Sequence, residues 1–162
     1  MSKTAVFAGS FDPLTIGHLD IIKRSAELFD TVVVAVVINP NKTSLFTPEE
    51  RTQMIQVACL TIDNVKVDSF EGLLADYVNR NRYDAVIRGL RNTTDFEYEE
   101  TMANVNAKLY EFGTETVFLM SKPEHTCVSS SAVKELASLG ADISCYVTED
   151  IKNQVLSKYR RK

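Results

Sequence analysis

The chain has 162 residues, a formal net charge of −4 at pH 7, 44% hydrophobic residues and 25% charged residues. These values are close to the averages for globular proteins, and they predict one domain that spans residues 1–162 and buries a proper core. The acidic balance argues against a nucleic-acid partner, and no apolar run approaches the ~20 residues of a membrane-spanning helix.

The chain ends in a cluster of basic residues, and its cysteines are few. The basic residues suit the dipole at the carboxyl end of a final helix, which explains them without a nucleic acid; they are Lys158, Arg160, Arg161 and Lys162. Cys59, Cys127 and Cys145 are odd in number and widely spaced, so they predict neither a disulfide framework nor a metal site. No secretory signal precedes the first apolar segment, and free thiols suit a reducing compartment, so we expect a cytoplasmic location.

Short apolar segments alternate with amphipathic ones along the chain. The apolar segments predict strands at residues 4–8, 31–37, 65–70, 84–88 and 116–120. Helices are predicted after Thr15, after Thr47, over 73–81, over 96–112 up to Gly113, from 132 to Gly140, and after Thr148. This alternation predicts an α/β fold, a Rossmann-like, doubly wound sheet of five parallel strands with right-handed crossovers.

Residues 9–18, with the sequence GSFDPLTIGH, form the predicted loop between the first strand and the first helix. Gly9 permits unusual backbone angles and the close approach of a ligand. Thr15 is a candidate N-cap, which places His18 in the first helical turn, where free amide groups attract anions. The sequence contains neither the P-loop pattern nor the dinucleotide-binding glycine pattern.

Further polar residues follow the other predicted strands. Lys42 follows the second strand, Arg88 and Arg91 end the fourth, and Ser129–Ser131 follow the fifth. The carboxyl ends of parallel strands form the ligand crevice of such sheets, so these groups predict a site for several phosphates.

Each of these residues also has a plainer interpretation. Lys42 is explained equally well as a solvated loop lysine, and the serines as redundant helix caps. Glu99 belongs to an acidic run that is typical of a solvated face, and His125 need have no role. Arg88 could form an ion pair with a nearby acid, for which the candidates are Asp95, Glu97 and Glu99.

The order and spacing of the motifs resemble one family. Thr15-x-Gly17-His18 matches the T/H-x-G-H signature of the nucleotidyltransferase superfamily, and with residues 9–13 it resembles the phosphopantetheine adenylyltransferase family. Later family motifs match Lys42, T-x-E-E-R at 47–51, R-G-L-R at 88–91, D-F-E-Y-E at 95–99 and the serine motif at 128–131. Two departures occur: Val128 replaces the usual Ile, and residues 121–127 differ from the family's aromatic-containing segment.

The resemblance implies an enzyme that transfers the adenylyl group of ATP reversibly to 4′-phosphopantetheine in coenzyme A biosynthesis. The products would be dephospho-coenzyme A and pyrophosphate. Magnesium would arrive with ATP, because we find no carboxylate cage for it in the sequence. The family also implies a homohexamer and inhibition by coenzyme A.

The resemblance also implies roles for individual residues. His18, Lys42 and Arg91 would act in catalysis. The phosphopantetheine site would comprise Ser10, Lys42, Leu74 and Arg88. The ATP site would comprise Ser10, Phe11, His18, Gly89, Leu90, Arg91, Glu99, His125, Thr126, Cys127, Val128, Ser129, Ser130 and Ser131.

Two other functions are open from the sequence: a nucleotidyltransferase with a different phosphate acceptor, and a non-catalytic nucleotide sensor on the same fold. The assembly surface is equally open. The predicted helix near 54–60 carries more apolar residues than one inward stripe needs, so it either contacts a partner subunit or is deeply buried.

Overall fold

The computed structural model describes residues 2–160, so the predictions for Arg161 and Lys162 lie outside the described residues. The strands are β1 (Thr4–Gly9), β2 (Thr31–Ile38), β3 (Val65–Glu71), β4 (Ala85–Leu90) and β5 (Glu115–Met120). The helices are α1 (Ile16–Leu28), α2 (Pro48–Ala58), α3 (Leu74–Asn81), α4 (Thr93–Ala107), α5 (Ser130–Ser138) and α6 (Glu149–Arg160), with a 3₁₀ turn at Pro123–His125.

The five strands form one parallel sheet in the order β3-β2-β1-β4-β5, which confirms the predicted fold class. The central strand β1 pairs with β2 on one side and with β4 on the other, with Val6 opposite both Val33 and Val86. The chain therefore leaves β1 in one direction and β4 in the other, which opens a crevice between the loops at their carboxyl ends.

The sheet is buried on both faces in its centre. On one face, Ile22, Val34 and Ile87 belong to a core that extends to α5 and α6. On the other face, Val6, Ala35, Tyr77 and Val86 form a second, smaller cluster under α3. Because β1 and β2 bury both faces, their sequences read as continuous apolar runs rather than as alternating ones.

Helix ends follow local capping chemistry. The Thr15 and Thr47 side chains accept the amide N–H of the third helical residue, as predicted for α1 and α2.

The bounds predicted for α4 were wrong. The Asn92 side chain accepts the Asp95 amide and starts α4 earlier than residue 96, and the helix ends at Ala107, before Gly113. Gly113, with a φ of +70°, lies in the loop before β5 instead of capping the helix.

Helices α2 and α4 differ in how they meet the core. In the 54–60 segment Met54, Ile55 and Cys59 are buried, whereas Val57 and Leu60 are exposed, so burial in the core explains only part of its apolar character. Helix α4 buries no residue, and its exposed apolar side chains include Tyr98, Met102 and Val105.

Of the helices within residues 2–160, none is long and apolar enough to cross a bilayer.

Candidate active site

A cleft of about 280 Å³ lies at the carboxyl ends of β1 and β4. Its walls come from the end of β1, the first turn of α1, the end of β4, the start of α4 and the segment after β5. This is the crevice that the strand order predicts.

The structure brings ten of the predicted site residues to the cleft. These are Phe11, His18, Arg88, Gly89, Arg91, Glu99, His125, Val128, Ser129 and Ser130. Leu74 lines a neighbouring cavity instead. The remaining ones line neither cavity: Ser10, Lys42, Thr126, Cys127 and Ser131 are exposed, and Leu90 is buried.

Phe11 lines the cleft from residues 10–15, the segment between β1 and α1 that we call the reactive loop. Its φ of +47° lies in the left-handed region, which is unusual for a bulky residue. The ring is buried and meets the rings of Phe7 and His18 edge-on, at centroid distances of 5.3 and 5.1 Å. A Cβ atom on Gly9 would lie 3.1 Å from this ring, so Gly9 makes room for Phe11 as well as for a ligand.

The His18 ring is held in one orientation by the helix cap. Its Nδ1 accepts a hydrogen bond from the Thr15 amide at 3.1 Å, so the proton of the neutral ring belongs on Nε2. Burial, and then the positive charge of Arg91, lower the pKa of His18 to about 4. His18 therefore lies in the cleft as a neutral imidazole whose Nε2–H is available as a donor.

Both arginines of the cleft are held by carboxylates of α4. Arg88 donates to both carboxylate oxygens of Glu99 at 2.6 Å and to the carbonyl of Ala8 at 2.9 Å. Arg91 forms a two-pronged pair with Asp95, which lowers the pKa of Asp95 and raises that of Arg91. The alternative interpretation of Arg88, an ion pair with a local acid, is thus realised with Glu99.

A second cavity of about 250 Å³ lies on the other side of the Arg88–Glu99 pair, and both residues line both cavities. Its remaining walls are mostly apolar and come from β2–β5, α3 and α4. Sequence reasoning missed Tyr98, Met102 and Asn106, which line this cavity from α4. Their spacing of four residues along one helix face is the signal that could have found them.

The segment after β5 is tied to α1 at several points. Arg24 donates to the Met120 carbonyl at 2.7 Å, and Lys122 forms an ion pair with Asp20 at 2.9 Å. Ser129 caps α5, as its plainer interpretation predicts, and Ser130 donates to the Pro13 carbonyl. These bonds hold the segment over the cleft.

Metal-ligating side chains do not gather at the cleft. Within residues 2–160, no three or more histidine, cysteine or acidic side chains form a group that could hold a metal ion. The carboxylates of Asp95 and Glu99 face arginines instead. The site is therefore built to hold anions through cationic side chains and helix-terminal amides.

Comparison with known proteins identifies the class. Residues 6–136 match the family model described as cytidylyltransferase-like, and this chain belongs to that family of nucleotidyltransferases. It is 48% identical over 155 residues to a phosphopantetheine adenylyltransferase of Heliobacterium modesticaldum, covering 96% of this chain and 92% of the relative. It is 52% identical over 156 residues to one of Limosilactobacillus reuteri, covering 96% and 89%. Within the family, the chain therefore belongs with the phosphopantetheine adenylyltransferases.

Solved structures agree on the fold. A nicotinic acid mononucleotide adenylyltransferase of Plasmodium falciparum superimposes with a TM-score of 0.68 at 13% identity, covering 99% of this chain and 96% of that one. A bifunctional NMN adenylyltransferase/ADP ribose pyrophosphatase of Francisella tularensis gives a TM-score of 0.72 at 16% identity, covering 99% and 52%. At this low identity the likeness concerns the fold alone.

The environment of His18 predicts its titration. The unfolded chain binds more protons than the folded one between pH 6.5 and about 4, so His18 makes the free energy of unfolding rise with pH across this window. Nitrogen-15 NMR of the ring should show a pKa near 4 and a proton on Nε2 at neutral pH. The His18→Gln variant should show a flatter pH dependence of unfolding in the same window. A pKa near 6.5 would contradict this account.

Proposed function

We propose that this chain transfers the adenylyl group of ATP to 4′-phosphopantetheine, releasing pyrophosphate and forming dephospho-coenzyme A. The observation that carries the proposal is the pair of adjoining cavities that share Arg88 and Glu99 as a common wall. One cavity has a mixed polar and apolar lining that includes His18 and Arg91, and the other is mostly apolar. Two ligands with phosphate groups can therefore meet at Arg88, which is what adenylyl transfer between them requires.

We assign ATP to the larger cleft. Gly17 lines it from the first turn of α1, where amide groups lack intrahelical acceptors and attract phosphates. His18 and Arg91 supply donors of different charge nearby. The relatives' name supports the choice of nucleotide, and the segment 125–131 is assigned to it by resemblance.

We assign the pantetheine arm to the second cavity. Leu74, Met102 and Tyr110 give it apolar walls suited to an alkyl-amide chain, and Asn106 offers polar partners for amide groups. Arg88 uses three of its five N–H groups on Glu99 and Ala8, so it keeps donors for a phosphate without breaking those bonds. Lys42 and Ser10 lie exposed after the two neighbouring strands β2 and β1 and are assigned to the same phosphate.

The proposed reaction needs alignment and charge stabilisation more than covalent catalysis. An oxygen of the phosphopantetheine phosphate attacks the α-phosphorus, the bond to the bridging oxygen breaks, and pyrophosphate leaves with that electron pair. The neutral His18 donates its Nε2–H to an α-phosphate oxygen as negative charge builds there. Lys42, Arg88 and Arg91 offset the repulsion between the two anionic reactants.

Magnesium and the cytoplasmic location stay predictions. Because the cleft presents arginines rather than free carboxylates, it fits a Mg²⁺ ion held mainly by triphosphate oxygens and water. Such an ion would neutralise charge on the leaving pyrophosphate. Free thiols at Cys59, Cys127 and Cys145 agree with a reducing compartment.

We also propose that the chain forms a homohexamer and is inhibited by coenzyme A, both by resemblance to the family. The structure adds a second candidate contact surface, on α4 and the residues just after it, beside the exposed Val57 and Leu60 of the 54–60 segment. Tyr98, Val105 and Leu109 are 64%, 50% and 46% exposed, and α4 buries no residue in the described part of the chain. Apolar side chains in this number favour contact with another subunit.

The two alternatives require different ligand behaviour. A nucleotidyltransferase for another acceptor would need a second cavity suited to that acceptor, and the apolar cavity beside Arg88 favours a long, partly apolar one. A nucleotide sensor would need no such cavity. A pyrophosphate-release screen over phosphate acceptors separates all three functions.

Removal of His18 should slow the chemical step. In assays of pyrophosphate release with ATP and phosphopantetheine, His18→Ala should lower kcat by about 100-fold or more, as the loss of one transition-state donor does. The KM for ATP should change far less, and without phosphopantetheine no pyrophosphate should form. Wild-type kcat in the variant would exclude the proposed role.

Lys42 and Arg88 should serve the acceptor more than the nucleotide. In calorimetric titrations, Lys42→Ala and Arg88→Ala should each weaken phosphopantetheine binding by roughly tenfold or more, as loss of a charged hydrogen-bond partner does. Binding of a non-hydrolysable ATP analogue should weaken less. Equal weakening of both ligands would contradict the assignment.

Assembly through α4 should be visible in solution. Light scattering coupled to size exclusion should report a mass near six chains for the wild type, and Val105→Glu should reduce it because the new charge would be buried at the contact. Leu28→Glu is the matched control on α1, where a 62% exposed leucine tolerates the charge. An active wild-type monomer would refute the hexamer but leave the catalytic proposal intact.

A further inference from the structure

Arg51 is a buried arginine with an unusual set of partners. Its side chain is almost inaccessible, and no carboxylate within residues 2–160 forms an ion pair with it. Its Nη1 donates to the carbonyl of Ser10 at 2.8 Å and to that of Val37 at 3.3 Å, and its Nε donates to that of Thr47 at 3.4 Å. A buried cation held only by backbone carbonyls is costly, so its place requires an explanation.

Those carbonyls belong to the two segments that border the proposed phosphate site. Ser10 follows β1 in the reactive loop, Val37 lies at the end of β2, and Thr47 closes the loop that carries Lys42. One guanidinium therefore joins the reactive loop to the Lys42 loop, through α2.

Asp12 makes a second connection between the same two loops. It lies in the reactive loop, and its buried carboxylate accepts the amides of Leu45 and Phe46, both at 2.9 Å, from the Lys42 loop. Lys134 of α5 donates to the same carboxylate at 2.9 Å. Burial opposes its ionisation, but the bonds from Leu45, Lys134 and Phe46 outweigh burial and lower the pKa of Asp12.

We propose that Arg51 and Asp12 are positioning residues. They fix the reactive loop and the Lys42 loop (residues 39–47) relative to each other, so that Ser10 and Lys42 contact the acceptor phosphate together. We call this pair the loop clamp. The inference rests on the proposed function for the identity of that phosphate. Neither member lines either cavity, so both act through the backbone of the residues beside them.

The shape of the arginine matters as well as its charge. Three carbonyls in different directions match the fork of a guanidinium, whereas a lysine ammonium is a point donor on a flexible stem. The Arg51→Lys variant keeps the positive charge but loses the simultaneous hydrogen bonds to the carbonyls of Ser10 and Thr47. Asp12→Asn keeps the size and removes the carboxylate's capacity to accept both amides and pair with Lys134.

A double-mutant cycle between Arg51 and Lys42 tests the clamp in the full-length protein. Lys42→Ala should lower kcat/KM for phosphopantetheine by roughly tenfold or more in the wild type, but by only about threefold in the Arg51→Lys background, because coupled sites are not additive. The changes in Tm should add. An unchanged effect of Lys42→Ala in the Arg51→Lys background would overturn the proposal.

Limited trypsin digestion gives a readout that does not depend on activity. Cleavage after Lys42 should be faster in both Arg51→Lys and Asp12→Asn than in the wild type. Ile55→Val, a core truncation in the same helix, is the control for a general loss of stability and should leave that cleavage rate unchanged. Equal Lys42 cleavage in the clamp variants and the control would overturn the clamp. If the wild type releases no pyrophosphate, the proposed function fails, and the clamp is judged by this digestion alone.

Discussion

The pairing of β1 with β2 on one edge and β4 on the other is the constraint on which the site depends. Parallel strands can be joined only by long crossovers, and the reversal of direction at β1 sends those crossovers to opposite faces of the sheet. The two loops that leave β1 and β4 therefore diverge, and backbone geometry alone leaves a crevice between them. The side chains then decide what enters it.

Arg88 shows how one charged residue organises that crevice. It occupies the end of a buried strand, where an uncompensated charge would be expensive. Its bonds to the Ala8 carbonyl and the Glu99 carboxylate compensate that charge and at the same time connect β1, β4 and α4. The resulting wall divides one large opening into two chemically different cavities, so the same contacts that allow the charge to be there also separate the sites for two ligands.

The features that the sequence predicted well are those that depend on local chemistry. Continuous apolar runs identified β1 and β2, and the threonine caps located α1 and α2. The features that the sequence did not predict depend on partners that lie far away along the chain. No role was predicted for Asp12, because its amide partners lie 33 and 34 residues away along the chain. The start of α4 was misplaced because an early polar cap at Asn92 precedes its first apolar residue.

Because α4 is attached to the body of the domain by the ion pairs of Asp95 and Glu99 and buries no side chain of its own, it differs energetically from the other long helices. Apolar burial, which makes the central strands open only with the whole molecule, contributes little to its attachment. Its local opening therefore costs less free energy than global unfolding. The common wall of the two cavities is thus carried by a helix that ion pairs hold in place, and contact with another subunit through the proposed α4 surface would add the apolar burial that stabilises this wall.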